Sequence, residues 1–241
     1  MPSAAESSRP RALPSPALWL LTGAAVILLI AAALEPTLPS PPAAPASATA
    51  GNATTTEIDP AAPLAAAERA AADVARAVTA AGNAANPAAL RAVTEPLLRH
   101  LDLPYITSLL LGRHWGCADP GQRLVLQGTL VEYFIARHAP ALRDLRGWRL
   151  RALPDQVRLS RGTYPRARVP VLVAADGLPG LRMELHLRRR DGVWRLYDAS
   201  LFGVGLIGLK RPVLDRLAAG HGLDALVALL RQPQPEAAPA G

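Results

Sequence analysis

The sequence predicts an α+β fold, in which helices come first, an antiparallel meander of about five strands follows, and short helices close the chain. Apolar residues recur at helical spacing from Leu64 to about Leu145. After Gly147 the spacing changes to two, which is typical of strands with one buried face. Past Gly208 the helical spacing returns in two short segments, Leu209 to Ala219 and Leu223 to Leu230, which are separated at Gly220-His221-Gly222.

The N-terminal part contains a long apolar run. From Ala17 to Leu34 there is no charged residue, and at 1.5 Å per residue this length just crosses a hydrocarbon core. Because Arg9 and Arg11 precede the run and Glu35 follows it, the positive-inside rule predicts a cytoplasmic N-terminus and export of the remainder. We expect an uncleaved, single-pass membrane anchor with the C-terminal domain outside the cytoplasm. Cleavage as a signal peptide is the alternative.

Composition divides the rest of the chain. A linker rich in proline and alanine cannot bury enough apolar surface to fold, whereas the following segment is long enough for a substantial core. The predicted organisation is a cytoplasmic tail (1–16), an anchor or uncleaved signal (17–34), a linker (35–63), one folded domain (64–232) and a disordered tail (233–241).

Turn and cap signals define several element boundaries. Asp119-Pro120-Gly121-Gln122 has the residues of a helix start, with a capping aspartate, proline at the first position and glutamine at the third. The helix that follows is apolar on more than one side, so we expect it to be central. Asp191-Gly192 is a turn dipeptide between two strand patterns, which predicts a β-hairpin. Pro170 predicts that its strand lies at an edge or carries a bulge.

Charge and composition narrow the function classes. The net charge of +7 favours anionic partners such as phospholipid headgroups or acidic proteins. Nucleic acid is disfavoured, because export is predicted and aromatic residues are not interleaved with the arginines. The single cysteine, Cys117, excludes an intramolecular disulfide, and the five histidines lack the spacing of metal ligands. We therefore predict no metal and no cofactor.

Two local patterns invite a catalytic interpretation. Gly203-Val204-Gly205-Leu206-Ile207-Gly208 matches GxGxxG, but it follows an antiparallel hairpin and does not open a parallel βαβ unit. Asp198 beside Tyr197 matches an acid–base pair of the kind that small α+β folds hold in an apolar pocket. We favour the interpretation that Asp198 braces the turn after its strand and that Tyr197 packs. An enzyme using Asp198 and Tyr197 remains an alternative.

The ordered set of motifs resembles a known family, the MlaC or toluene-tolerance type of periplasmic phospholipid-binding proteins. The carriers are Leu111-Gly112-Arg113-His114-Trp115, the segment Asp191-Gly192-Val193-Trp194-Arg195-Leu196-Tyr197-Asp198, Gly203-Val204-Gly205-Leu206 and Gly222-Leu223-Asp224-Ala225-Leu226. The resemblance implies helices packed on an NTF2-like curved antiparallel sheet, with an apolar cavity for phospholipid acyl chains and no catalytic residues. Its members are usually soluble after signal cleavage, whereas we expect this chain to be anchored in the inner membrane, single-pass, with its C-terminal domain in the periplasm.

The resemblance also implies partners and a site. The partners are a phospholipid or related lipid, an inner-membrane ABC transporter with an MCE subunit, and an outer-membrane lipoprotein. We expect the wall of the cavity to be formed by apolar and aromatic residues of the central helix, the sheet and the glycine-rich turn: Leu126, Leu130, Phe134, Val171, Val173, Met183, Leu185, Trp194, Leu196, Tyr197, Val204 and Leu206. A non-enzymatic envelope scaffold, whose apolar face binds another protein, is a further alternative.

Overall fold

The computed structural model describes residues 59–84, 86–138, 142, 145, 147–175 and 180–232. Within these ranges the helices are α1 (Ala61–Ala81), α2 (Pro87–Thr94), α3 (Leu103–Leu111), α4 (Arg113–Cys117), α5 (Pro120–His138) and α6 (Leu206–Arg231). The strands are β1 (Arg149–Ala152), β2 (Arg158–Ser160), β3 (Arg166–Ala174), β4 (Leu181–Arg190), β5 (Val193–Leu201) and β6 (Val204–Gly205). The α+β prediction is confirmed. The predicted segments 1–16, 17–34 and 233–241, and most of 35–63, lie outside the described residues.

The cap predicted for α5 is present. The Oδ1 atom of Asp119 accepts a hydrogen bond from the backbone N–H of Gln122 at 2.8 Å. In return the Oε1 atom of Gln122 accepts from the backbone N–H of Asp119 at 3.2 Å. This reciprocal arrangement satisfies two backbone donors at the helix start.

The strands form one antiparallel sheet in the order β1-β3-β4-β5-β6, and β2 also pairs with β3. The prediction for Pro170 is wrong, because β3 lies inside the sheet with β4 on one side and β1 and β2 on the other. The carbonyl of Pro170 accepts from Leu153 N–H at 2.8 Å, so its nitrogen also faces that side, at the gap between β1 and β2. The missing N–H therefore leaves the pairing with β4 intact and forgoes only the return bond to Leu153, at the end of the β1 pairing.

Two tight hairpins follow each other at the end of the sheet. Asp191 and Gly192 have φ angles of 52° and 78°, as a two-residue turn of the primed type requires, so the predicted hairpin is confirmed. Phe202 and Gly203 have φ angles of 51° and 81° and form a second such turn between β5 and β6. The sequence predicted a bend here but not a strand beyond it.

The last helix, α6, contains one break. Gly222 has φ 79° and ψ 171°, which interrupts the helical backbone and separates two helical segments. The two predicted C-terminal helices are these segments, and the first begins at Leu206, ahead of the predicted Leu209.

The buried apolar residues form two clusters, and α5 contributes to both. Ile135 belongs to a cluster between α1 and one face of the sheet. Leu126, Leu130 and Phe134 belong to a second cluster built with α3 and α6. The prediction that α5 is central is confirmed.

Candidate functional site

The apolar face of the sheet is continuous from its interior to its edge. Strand register places Val171 opposite Met183, Met183 opposite Leu201, and Leu201 opposite Val204. Directly opposed residues on neighbouring strands share a face, so these four side chains form one row across β3, β4, β5 and β6. Val171 and Met183 are 1% exposed, whereas Val204 at the edge is 50% exposed. We call this set the apolar row. It leads from the core to the surface.

The structure divides the predicted wall residues between the two clusters. Those between α1 and the sheet are Val171, Val173, Met183, Leu185, Trp194 and Leu206. Those between the helices are Leu126, Leu130 and Phe134. These nine side chains are buried, so in this state the protein's own atoms surround them.

Leu196 connects the two clusters, because it packs against both. It also ties the helical part to the sheet, since its carbonyl accepts from Asp102 N–H at 2.8 Å. Of the other predicted wall residues, Tyr197 is half-buried on the opposite face of the sheet and Val204 is exposed. Six of the twelve predicted wall residues therefore pack between α1 and the sheet, three pack between the helices, and Tyr197 lies on the opposite face of the sheet.

The opposite face of the sheet carries a buried ion pair. The Arg188 guanidinium lies 2.9 Å (Nε) and 2.7 Å (Nη2) from Oδ2 of Asp102, and both side chains are less than a tenth exposed. The same guanidinium stacks on the Tyr105 ring, with Cζ 3.7 Å from the ring centroid. Asp102 also caps α3, with its Oδ1 atom accepting from Tyr105 N–H at 3.4 Å.

Tyr197 reaches this polar face because β5 contains a bulge. His186 pairs with Asp198 and Leu187 with Leu196, which leaves Tyr197 as the extra residue. Its ring lies edge-on to Tyr105, with centroids 5.2 Å apart. Sequence reasoning missed this group, since period two predicts that Tyr197 and Asp198 lie on opposite faces. Nothing local in the sequence signals the bulge.

Asp198 is a helix cap. Its Oδ1 atom accepts from the backbone N–H of Leu206 and of Ile207, both at 3.1 Å, at the start of α6. Burial raises the pKa of this carboxyl above its ordinary value, and the backbone hydrogen bonds oppose the shift. Because Asp198 is opposite His186, it lies on the face that Leu185 and Leu187 do not share. An acid–base role for Asp198 and Tyr197 requires Asp198 to face the apolar pocket. Asp198 lies on the opposite face of the sheet, so that requirement is not met.

The glycine of the Leu111–Trp115 motif allows close packing between α6 and the start of α4. Gly112 has φ 53° and ψ −121°, and a Cβ atom there would lie 2.7 Å from Nη2 of Arg211. His114 is bound to the same helix, with Nε2 3.0 Å from Oδ1 of Asp215. The motif therefore fixes the helical part against α6.

The comparisons with known proteins cover this same domain. The family model described as "MlaC protein" matches residues 68–232, which is more than half of the chain. The chain belongs to the MlaC family. A solved structure, the phospholipid-binding protein from Ralstonia solanacearum in complex with a phospholipid, has the same fold at a TM-score of 0.58 and 19% identity. The match covers 70% of this chain and 98% of that one.

Family membership corrects the predicted location. The prediction of a single-pass inner-membrane protein with a transmembrane helix is wrong, because members of the MlaC family are periplasmic proteins without a membrane anchor. Only the alternative, a periplasmic protein after signal cleavage, fits the family. In the part of the chain that the structure describes, no helix is long and apolar enough to cross a membrane. The run 17–34 lies outside that part.

The buried ionisable groups of the MlaC-type domain have structural partners. Among the described residues no group of three or more His, Cys, Asp or Glu side chains is placed to hold a metal ion. Burial lowers the pKa of His186, whose Nε2 is hydrogen-bonded to the Ser200 hydroxyl at 3.0 Å. Burial raises the pKa of Tyr197. These polar groups brace the sheet, its bulge and the start of α6.

Proposed function

We propose that this chain is a periplasmic phospholipid-binding protein that holds acyl chains against the apolar row and carries the lipid between membranes or to an ABC transporter. The observation that carries the proposal is the row itself, which runs from buried Val171 to exposed Val204 without a charged side chain. Family membership supports it, and so does the fold shared with a protein solved in complex with a phospholipid.

The energetics of such a site need no reaction chemistry. Each buried acyl CH₂ contributes about 0.8 kcal/mol, so an aliphatic surface is sufficient to hold a lipid. The charged side chains of β4 that flank the apolar row, Arg182, Glu184 and Arg188, point to the other face of the sheet, and Arg189 shares the apolar face only at the far end of the strand, opposite Trp194. A headgroup would remain outside, at the end of the row where Val204 is exposed.

Lipid entry requires the buried wall to open. We expect α1 to be the element that moves, because it covers the apolar face largely with alanines: Ala66, Ala67, Ala77 and Ala81. Small side chains bury less apolar area than leucines, so separating α1 from the sheet costs less free energy. Acyl chains would replace the contacts that α1 gives up. We expect backbone amides of α1 to exchange with solvent faster than those of β4 in the lipid-free protein.

The test is to export residues 59–232 in bacteria, purify them without detergent and analyse the organic extract by mass spectrometry. This range contains the family match, and the Ralstonia solanacearum structure matches 70% of this chain over 98% of its own length. We expect phospholipid to co-purify. A lipid-free protein that also takes up no lipid from vesicles would overturn the proposal.

A matched pair of variants locates the site. Leu201→Gln changes a half-buried residue of the apolar row, and Leu172→Gln makes the same change on β3, at a half-buried position on the opposite face. We expect Leu201→Gln to lower lipid occupancy severalfold and Leu172→Gln to leave it unchanged. Equal loss in both variants would place the lipid elsewhere.

The scaffold alternative receives support from one observation, the burial of nine predicted wall residues by the protein itself. A protein that neither co-purifies with phospholipid nor takes it up from vesicles would favour this alternative.

The transport step is measured separately. We expect labelled phospholipid bound to the purified protein to pass to the MCE subunit of the cognate ABC transporter, and the Leu201→Gln protein to deliver less.

A further inference from the structure

A small apolar tip projects where the sheet meets α6. Among the described residues seven large apolar side chains are exposed, and three of them lie within eight consecutive positions. Phe202 is 76% exposed, Leu209 55% and Val204 50%. Val204 directly precedes the N-cap of α6 and Leu209 is the fourth residue of the helix, which are the positions of a hydrophobic staple. We call these three residues the Phe202 tip.

Phe202 is a poor residue for the fold at its position. It has φ 51° as the first residue of a two-residue hairpin turn, where asparagine, aspartate or glycine is favoured before glycine. The other turn of this kind, at residues 191–192, has aspartate there. With most of its surface in solvent, the Phe202 ring contributes little packing to offset the strained backbone. Strain retained without a packing benefit points to a role outside the folded core.

Basic side chains lie beside the tip. Arg182 is exposed and precedes Met183, the partner of Leu201, so it lies where β5 turns at Phe202. Lys210 follows Leu209, whereas the guanidinium of Arg211 lies against Gly112 in the helical part. The acidic side chains of this part of the sheet are engaged in the protein: Asp198 caps α6, and Glu184 lies 3.5 Å from Arg158. The tip thus combines apolar side chains with positive charge, which suits an anionic surface.

The shape of the tip favours a bilayer over a protein partner. The Phe202 tip is convex and consists of three apolar side chains. Its apolar area is far smaller than the roughly 800 Å² that each partner buries in a stable protein interface. A phenylalanine, a valine and a leucine can enter the headgroup region of a membrane while a neighbouring arginine and lysine bind phosphate groups.

We propose that the Phe202 tip docks the protein on the surface of a bilayer containing anionic phospholipid. Val204 belongs both to the tip and to the apolar row, so docking brings the exposed end of the row to the membrane. This link to lipid uptake depends on the proposed function, whereas docking itself does not.

The experiment uses the full chain with a single probe. Cys117→Ser removes the only cysteine, and Val204→Cys then carries an environment-sensitive fluorophore while Phe202 and Leu209 remain. Vesicles of phosphatidylcholine and phosphatidylglycerol contain a lipid with a nitroxide quencher near the headgroup. Leu124→Cys, on α5, provides the control position, since Leu124 is 72% exposed. We expect a blue shift and quenching at position 204 and neither at position 124.

Adding Phe202→Asn to the Val204→Cys protein should remove most of the quenching, because asparagine suits the turn and leaves the fold intact. Vesicles of phosphatidylcholine alone, or high salt, should weaken it. Equal quenching at both positions, or quenching that survives Phe202→Asn, would overturn the proposal. A signal that depends on protein concentration without vesicles would assign the tip to a second copy and overturn it too. Phospholipid content measured on the same preparations separates this result from the proposed function.

Discussion

Arg188 binds one oxygen of Asp102 through two guanidinium nitrogens, and this buried ion pair joins the sheet to the start of α3. Asp102→Leu should leave the Arg188 charge buried without a partner and lower the free energy of unfolding by about 3–5 kcal/mol. Chemical denaturation measures the change. The control is Arg91→Ala, which breaks the exposed Arg91–Glu132 pair and should cost far less, because solvent screens such a pair. Equal costs would show that the buried pair has no special role.

The two hairpin turns permit an exchange of residues. Phe202→Asn should raise the free energy of unfolding by about 1 kcal/mol, because a residue with a bulky side chain pays about 1–2 kcal/mol in the left-handed region. Asp191→Phe places the same strain in the other turn and should lower stability by a similar amount. Thermal unfolding measures both changes. A loss of stability in Phe202→Asn would show that the exposed ring supports the fold, which would weaken the argument that it serves a membrane.

The sequence predicted the parts of the fold that local chemistry determines. The cap at Asp119, the turn at Asp191–Gly192 and the break near Gly222 each follow from a residue type with one strong backbone preference. Neither the place of Pro170 in the sheet nor the β5 bulge follows from such a preference, because both depend on which strands become neighbours. Pairing of distant strands leaves little trace in a single sequence.

The candidate site was predictable to the same degree. Period two placed Val171, Met183 and Leu185 on one face, and the structure has them there. Tyr197 was placed on that face as well, and the bulge moves it to the polar side. The Asp102–Arg188 pair joins residues 86 positions apart, and no motif connected them.

Gly112 offers a test of the family motif on the helical side. Gly112→Ala should lower the free energy of unfolding by about 1–3 kcal/mol, since its backbone conformation suits glycine alone and Arg211 occupies the space for a side chain. Gly116→Ala is the matched control in α4, where nothing lies within 4 Å of the added atom. That variant should gain up to about 1 kcal/mol, because alanine favours a helix. The opposite signs are the prediction, and chemical denaturation of both proteins checks them.

His186 should make stability depend on pH in a defined window. Its pKa lies below the ordinary value of 6.5, chiefly because it is buried and further because Arg168 is near, while Asp198 and Glu184 oppose the shift. As the pH falls below 6.5 the unfolded chain binds a proton that the folded protein still resists, so the stabilising contribution is complete above 6.5 and is lost towards the lower folded pKa. The loss is at most about 1.4 kcal/mol per pH unit.

His186→Gln keeps a partner for the Ser200 hydroxyl but cannot take up a proton. Urea unfolding between pH 5 and pH 8 should therefore give a flatter profile for this variant than for the parent protein, with the two curves diverging only below about pH 6.5. Parallel curves over the whole range would mean that His186 accepts its proton equally well in the folded protein. In that case the burial of His186 does not control the charge on this face of the sheet.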